Sequence, residues 1–240
     1  QTINSPTNTT YTSSSINFNV TSSESGTGSL VPNLDSSLVS WWRMDDTNGS
    51  ANSVTDYMGR NNGTAVGNAV QTDAGKLGKG EGVDGDGDYV QVPDSSTLEG
   101  MSQLTVAFWF KENNFPTGNG TSYLVKSATN YYGAYYVRKF AGVSTLRWNV
   151  RNSSGTDSSD AVASSSTITT GNWYFFTGTF NGSSLIAYLN GVNGSAISFS
   201  GTIPTTDTFL RIGGNTGTNY FRFNGTIDDV MIFNRSLTAD

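Results

Sequence analysis

No cysteine and no histidine occur among the 240 residues of this chain. Without cysteine there is no disulfide framework, and with histidine gone as well the usual Cys/His zinc sites are excluded. The missing histidine also removes Ser-His-Asp and Cys-His catalysis. Charge is scarce: 13% of residues are charged, about half the usual share. The 13 Lys and Arg against 19 Asp and Glu give a net charge of −6 without a basic cluster. Phosphate-backbone binding needs basic patches, so nucleic acid is not expected as a partner. No apolar run approaches the ~18 residues of a membrane helix, so membrane insertion is not expected. No signal-peptide pattern is visible, which reads as a mature product or an excised fragment.

What is abundant is Ser, Thr, Asn and Gly, a mix that suits a β-rich, loop-rich extracellular protein. The length allows one large β domain or two small ones. A secreted protein without cysteine points to a prokaryotic surface, archaeal or bacterial. N-x-S/T sequons at Asn8, Asn19, Asn48, Asn62, Asn119, Asn152, Asn181, Asn193, Asn224 and Asn234 are candidate glycosylation sites where the host has the machinery.

Residues 1–21 read as two short strands around a Ser/Thr turn, with Ile16, Phe18 and Val20 alternating. A run of small polar residues follows and reads as linker. We therefore expect an N-terminal strand segment and linker over 1–28, either the opening strands of an immunoglobulin-like repeat or an exchanged strand, and one β domain over 29–240. From Leu38 onward, strands are expected at 38–44, 88–92, 104–110, 122–126, 133–140, 145–150, 172–180, 184–190, 209–213 and 225–233. Turn signals such as Asn181-Gly182, Asn190-Gly191 and Gly213-Gly214 separate them. No helix-period segment of ten residues interrupts the series, which indicates a sandwich or barrel.

Three stretches in order resemble the laminin-G-like branch of the concanavalin A-like lectin/glucanase superfamily. They are "SLVSWWRMDD…VTDYMGRNNGTAVG", "GVDGDGDYVQVPDSSTLEGMSQLTVAFWFK" and "GNWYFFTGTFNGSSLIAYLNGVNG…FNGTIDDVMIFNRSLTAD". The resemblance covers roughly residues 38–240 and implies an all-β jelly-roll sandwich of two antiparallel sheets. It also implies a glycan-binding or adhesion module, and for many members a structural calcium.

Relatives in the glucanase branch are enzymes, so the carboxylates need their own reading. Retaining and inverting glycosidases hold two carboxyl groups ~5–5.5 or ~6.5–9.5 Å apart. The glucanase Glu-x-Asp-x-x-Glu strand motif is absent, and none of the four glutamates, Glu24, Glu81, Glu99 and Glu112, has a carboxylate partner at strand spacing. Asp228 and Asp229 are adjacent in a strand and should point to opposite faces. We therefore expect no enzyme.

Asp84, Asp86 and Asp88 mimic the start of an EF-hand loop. Tyr89 stands where glycine is required and Ser95 where the closing glutamate belongs, so a complete EF-hand is excluded. Calcium held by acids from distant loops remains an expectation, with Asp45, Asp46, Asp84, Asp86, Asp88 and Asp228 as candidate ligands. Asp45 with Asp228 is favoured because the resemblance pairs first-strand and last-strand acids.

A glycan surface needs aromatic faces beside planar polar groups. Tyr132, Tyr135, Arg138, Arg147, Asn149 and Arg151 supply them. In 145–151, Leu146, Trp148 and Val150 share the core face, which leaves Arg147, Asn149 and Arg151 on the other. Trp41, Trp42, Trp109 and Trp173 read as core. The leading expectation is thus a non-catalytic extracellular module that recognises glycans or a glycoprotein surface. Its rivals are a surface-filament subunit that self-associates by strand exchange through residues 1–21, and a passive stalk.

Overall fold

The computed structural model describes residues 2–5, 19–21, 35–48, 52–115, 120–127, 133–163, 168–214 and 221–238. The chain forms two compact units, Gln1–Leu34 and Asp35–Asp240. In the first, β1 (Thr2–Ser5) and β2 (Asn19–Thr21) pair antiparallel, with Ile3 opposite Val20. Ile16 and Phe18, expected to alternate with Val20, lie outside the described residues.

The described part of the second unit is built almost wholly of strands. They are β3 (Leu38–Asn48), β4 (Ser53–Asp56), β5 (Gly63–Val66), β6 (Val70–Thr72), β7 (Gly80–Asp84) and β8 (Tyr89–Val92). Then follow β9 (Leu104–Glu112), β10 (Gly120–Lys126), β11 (Tyr135–Phe140), β12 (Arg147–Val150), β13 (Ala161–Val162) and β14 (Trp173–Phe180). The last are β15 (Ser184–Leu189), β16 (Val192–Asn193), β17 (Ile197–Ser198), β18 (Leu210–Ile212) and β19 (Asn224–Phe233). Among the described residues a single 3-10 turn, Ser96–Leu98, interrupts them, with the Ser95 hydroxyl accepting from the Thr97 amide.

Pairing resolves the strands into two antiparallel sheets. The first runs β3–β19–β9–β14–β15. The second runs β5–β8–β18–β10–β11–β12–β13. β4 pairs with β3 on one side and β5 on the other, which joins the sheets along one edge. The expected all-β jelly-roll sandwich is borne out, and each of the ten anticipated strands is present.

The core lies between the sheets because strand side chains alternate. On β9, Leu104, Val106, Phe108 and Phe110 are fully buried and belong to the core cluster. Phe108 meets Phe176 of β14 at 5.2 Å between ring centroids, and Phe110 meets Tyr123 of β10 edge-on at 4.8 Å. Each buried indole finds an acceptor: Trp42 donates to the Asn61 carbonyl at 2.8 Å and Trp148 to the Thr179 carbonyl at 3.0 Å. Tethered indoles fix the ring orientation as well as burying area.

Candidate functional site

The outward face of the second sheet follows from β12. Trp148 and Val150 are wholly buried in the core, so Arg147 and Asn149 must stand on the opposite face. The ladder sets Tyr136 of β11 opposite Asn149, and Arg138 opposite Arg147. Four polar or aromatic side chains therefore form a two-by-two patch.

The segment after β12 brings acids to this patch. Arg147 donates to Asp160 Oδ2 at 2.8 Å, and the Tyr136 hydroxyl donates to Asp160 Oδ1 at 3.2 Å. Asn149 Nδ2 donates to that same oxygen at 3.1 Å and to the Ser158 carbonyl at 2.8 Å. Arg151 reaches Asp157 at 3.4 Å. Burial first, and then the Asp160 charge, push the Tyr136 phenol well above its ordinary pKa, so it stays a neutral donor. Asn149 Oδ1 is buried with no hydrogen-bond partner among the described residues.

The patch has two layers. Arg147 and Arg151 each keep 32% of their side-chain surface exposed, with Asp160 at 19% and Asp157 at 29%. A solute can reach these four. Arg138 is 1% exposed, its guanidinium 4.3 Å from the Tyr136 ring centroid and 4.7 Å from that of Phe221. It holds those rings rather than meeting solvent. Arg147 in turn lies 4.8 Å from the Phe140 ring.

Of the expected ligand residues, Arg138, Arg147, Asn149 and Arg151 share this face. Tyr135 does not. It is fully buried in the core, its hydroxyl bonded to the Leu98 carbonyl at 3.0 Å, because it alternates with Arg138 along β11. Tyr136, two residues from Arg138, takes the place expected of it. Tyr132 lies outside the described residues.

The six candidate calcium ligands fall in separate places, and only the favoured pair, Asp45 and Asp228, converges on one segment, residues 76–79. Asp84, Asp86 and Asp88 stay in the β7–β8 turn, where Asp88 accepts from the amides of Asn68 and Asp84, and Asp84 from that of Asp86. Asp86 pairs with Arg222 at 3.1 Å. Desolvation raises the Asp88 pKa, while its hydrogen bond to Asp88 lowers that of Asp84. Asp45 is tied to Arg43 at 2.6 Å and accepts from the Lys79 amide. Asp46 is exposed. Asp228 accepts from the amides of Lys76, Leu77 and Asp229, and burial lifts its pKa to about 6. No group of three acids able to hold a metal ion occurs among the described residues.

The Asp228–Asp229 pair also departs from expectation. A bulge between Asp228 and Met231, with Asp229 at φ 46°, interrupts the alternation. Asp229 then accepts from the Trp41 indole at 2.8 Å. Nor are all the tryptophans core: Trp42 is, whereas Trp41, Trp109 and Trp173 are half-buried. Among sequon asparagines, Asn62, Asn181, Asn193 and Asn234 are exposed. The Nδ2 of Asn152 donates to the Ser200 carbonyl and that of Asn224 to the Asp84 carbonyl. Asn8 and Asn119 lie outside the described residues.

A laminin-G family model of the concanavalin A-like lectin/glucanases superfamily matches residues 84–240. The chain belongs to that family. A comparison with curated protein sequences yields no match. Among solved structures, this laminin-G-like chain is similar to domain 4 of AbnA, an extracellular GH43 arabinanase from Geobacillus stearothermophilus, solved in complex with arabinotriose. The TM-score is 0.63 at 20% identity, over 84% of this chain and 94% of that one. It is similar also to the binding domain of Paraclostridial Mosquitocidal Protein 1, with a TM-score of 0.62 at 15% identity over 85% of this chain. A third likeness is to the Trypanosoma rangeli sialidase, with a TM-score of 0.64 at 15% identity over 90% of this chain. The chain spans 50% of the toxin domain and 33% of the sialidase. At these identities the likeness shows the fold. No helix among the described residues is long and apolar enough to cross a membrane.

Proposed function

We propose that this protein is a non-catalytic, extracellular glycan-binding module whose site is the outward face of the second sheet. The observation that carries the reading is the Asp160-centred network. One carboxylate fixes a phenol, an amide and a guanidinium, while Asn149 Oδ1 remains a buried acceptor with no described partner. Preorganised planar donors and acceptors beside aromatic faces suit a sugar ring, and a small set of fixed polar groups is what orients a bound ligand. The likeness to a module solved with arabinotriose supports the same class of ligand.

The carboxylates support a binding role over hydrolysis. Asp157 and Asp160 are ion-paired to arginines, and buried Glu112 is committed to Lys139 and Tyr123. A glycosidase needs one acid free to give a proton and a second free to attack or activate water. Calorimetric titration against an oligosaccharide panel, in calcium and in chelator, tests the proposal. Saturable binding is expected, lost in the Arg147→Ala/Asn149→Ala double variant, which gives up the two Asn149 hydrogen bonds at ~1–3 kcal/mol but keeps the β-sheet circular dichroism of the folded protein. Binding that survives the double change would move the site elsewhere.

A further inference from the structure

The outward face of the first sheet carries an aromatic and cationic surface that the Asp160 network leaves unused. Trp109 and Lys111 face outward on β9, and Trp173 and Phe175 on β14. The ladder sets Trp173 opposite Lys111 and Phe175 opposite Trp109, whose ring centroids are 4.9 Å apart. Lys111 Nζ stands 5.1 Å from the Trp173 ring centroid, and Lys76 Nζ stands 4.7 Å from that of Trp109. Neither ammonium forms an ion pair with Asp or Glu among the described residues. In a chain of net charge −6, two such cations stand on one aromatic face, where the only acid the ladder sets opposite Trp109 among the described residues is the buried Asp228.

A groove of about 530 Å³ adjoins them, running over β6, β7, β19 and the end of β9. The row from Trp173 through Lys111 continues across it to Thr226, Gly82 and Val70. Gly82, in the same row as Thr226, leaves part of the floor without a side chain, so a flat ligand can lie against backbone. Asn113 lines the groove too, as does Asn224, whose Nδ2 is bonded to the Asp84 carbonyl. Asp84 stands further along β7 and repels an anion from that end.

We propose that this face binds a second ligand, a glycan bearing carboxylate groups. Its sugar rings lie on the Trp109 and Trp173 indoles and in the groove, and its carboxylates meet Lys76 and Lys111. The aromatic faces select rings with an apolar side, and the unpaired ammoniums select the anion. Two cations are too few for the multiple phosphate contacts that sustain nucleic-acid binding. The residues are distinct from Tyr136, Arg147 and Asn149, so this site stands or falls separately from the first.

The test is calorimetry with tetragalacturonate, a hyaluronan hexasaccharide and sialyllactose, each against a neutral counterpart such as the galacturonate methyl ester or lactose. Saturable binding of at least one carboxylated probe is expected, with no binding of its neutral form. The Lys76→Gln/Lys111→Gln double variant should weaken it by about tenfold, from two solvent-exposed ion pairs. Arg147→Ala should leave it unchanged. Both lysines are surface side chains, and an unaltered melting temperature shows that the double variant is folded. Failure of every carboxylated probe, equal binding of a neutral form when the first site is disabled by Arg147→Ala, or unchanged affinity in the double variant would overturn the proposal.

Discussion

Gly178 of β14 lies directly beneath the indole of Trp148 of β12, so that a Cβ on it would stand 2.7 Å from Cδ2 of the ring. One residue on the first sheet thereby sets how deeply the central tryptophan of the second can sink. Because Trp148 is flanked by Arg147 and Asn149, that depth also positions the proposed glycan face. Gly178→Ala must push the ring aside, and overpacking of this kind costs ~1–3 kcal/mol. Urea unfolding should show that loss, and oligosaccharide affinity should drop in the same variant without any change to a ligand-facing residue.

The sheets are also joined by charge. Glu112 of β9 and Lys139 of β11, both buried, form an ion pair, and Tyr123 donates to the same carboxylate at 2.7 Å. Burial lowers the Lys139 pKa, and Glu112 pulls against that shift. Removing one partner strands the other. Glu112→Gln or Lys139→Met alone should cost ~3–5 kcal/mol, and the double variant markedly less than their sum. A double-mutant cycle by chemical denaturation reads the coupling.

Tyrosines 135 and 136 separate the two faces of β11. Tyr136→Phe removes the hydroxyl that donates to Asp160 and should weaken glycan binding at little cost in stability. Tyr135→Phe removes the bond to the Leu98 carbonyl, should cost ~1 kcal/mol, and should leave binding intact. Paired melting and titration experiments distinguish them; the reverse assignment would put the ligand on the wrong side of the sheet.

Stability should fall as pH rises from about 4 to 6. Asp228, wholly buried, titrates near 6 instead of 3.8, so the folded state holds a proton that the unfolded chain has lost in that window. Asp88 and Asp229 are shifted the same way by desolvation. The penalty from Asp228 reaches ~3 kcal/mol at most, since each pKa unit is worth ~1.4 kcal/mol. Asp35 acts oppositely: Arg235 lowers its pKa to about 2, so its stabilisation is lost only below about 4. Urea midpoints between pH 2 and 7, with the Asp228 carboxyl followed by NMR, check both slopes.

The long strands were legible because apolar alternation and Asn-Gly turns write them plainly. The short strands β4 to β7, β13, β16 and β17 were not, since segments of two to five residues become strand only when a neighbour supplies the ladder. Alternation also placed Arg147 and Asn149 correctly from Trp148. The same rule applied to β11 would have chosen Tyr136, but aromatic content outweighed spacing in choosing Tyr135. Trp109 and Trp173 were misread for a related reason: a strand apolar on both sides conceals which side faces out. The surroundings of the carboxylates were hidden for another reason. Sequence shows how many acids crowd a segment, whereas partners such as the Lys76 and Leu77 amides for Asp228 or the Lys79 amide for Asp45 come from elements far along the chain.

The first and last strands of the second unit are neighbours. Leu38 sits opposite Phe233, and just beyond them Arg235 clamps Asp35 at 2.6 Å. Tension applied through the flanking chain would therefore pull both strands from the same end. The Asp35–Arg235 clamp would take the load first, and after it the ladder bonds would open singly, like a zipper, rather than shearing together. Such a unit yields at low force, and is better suited to hang as a side branch than to serve as a link in a stretched tether.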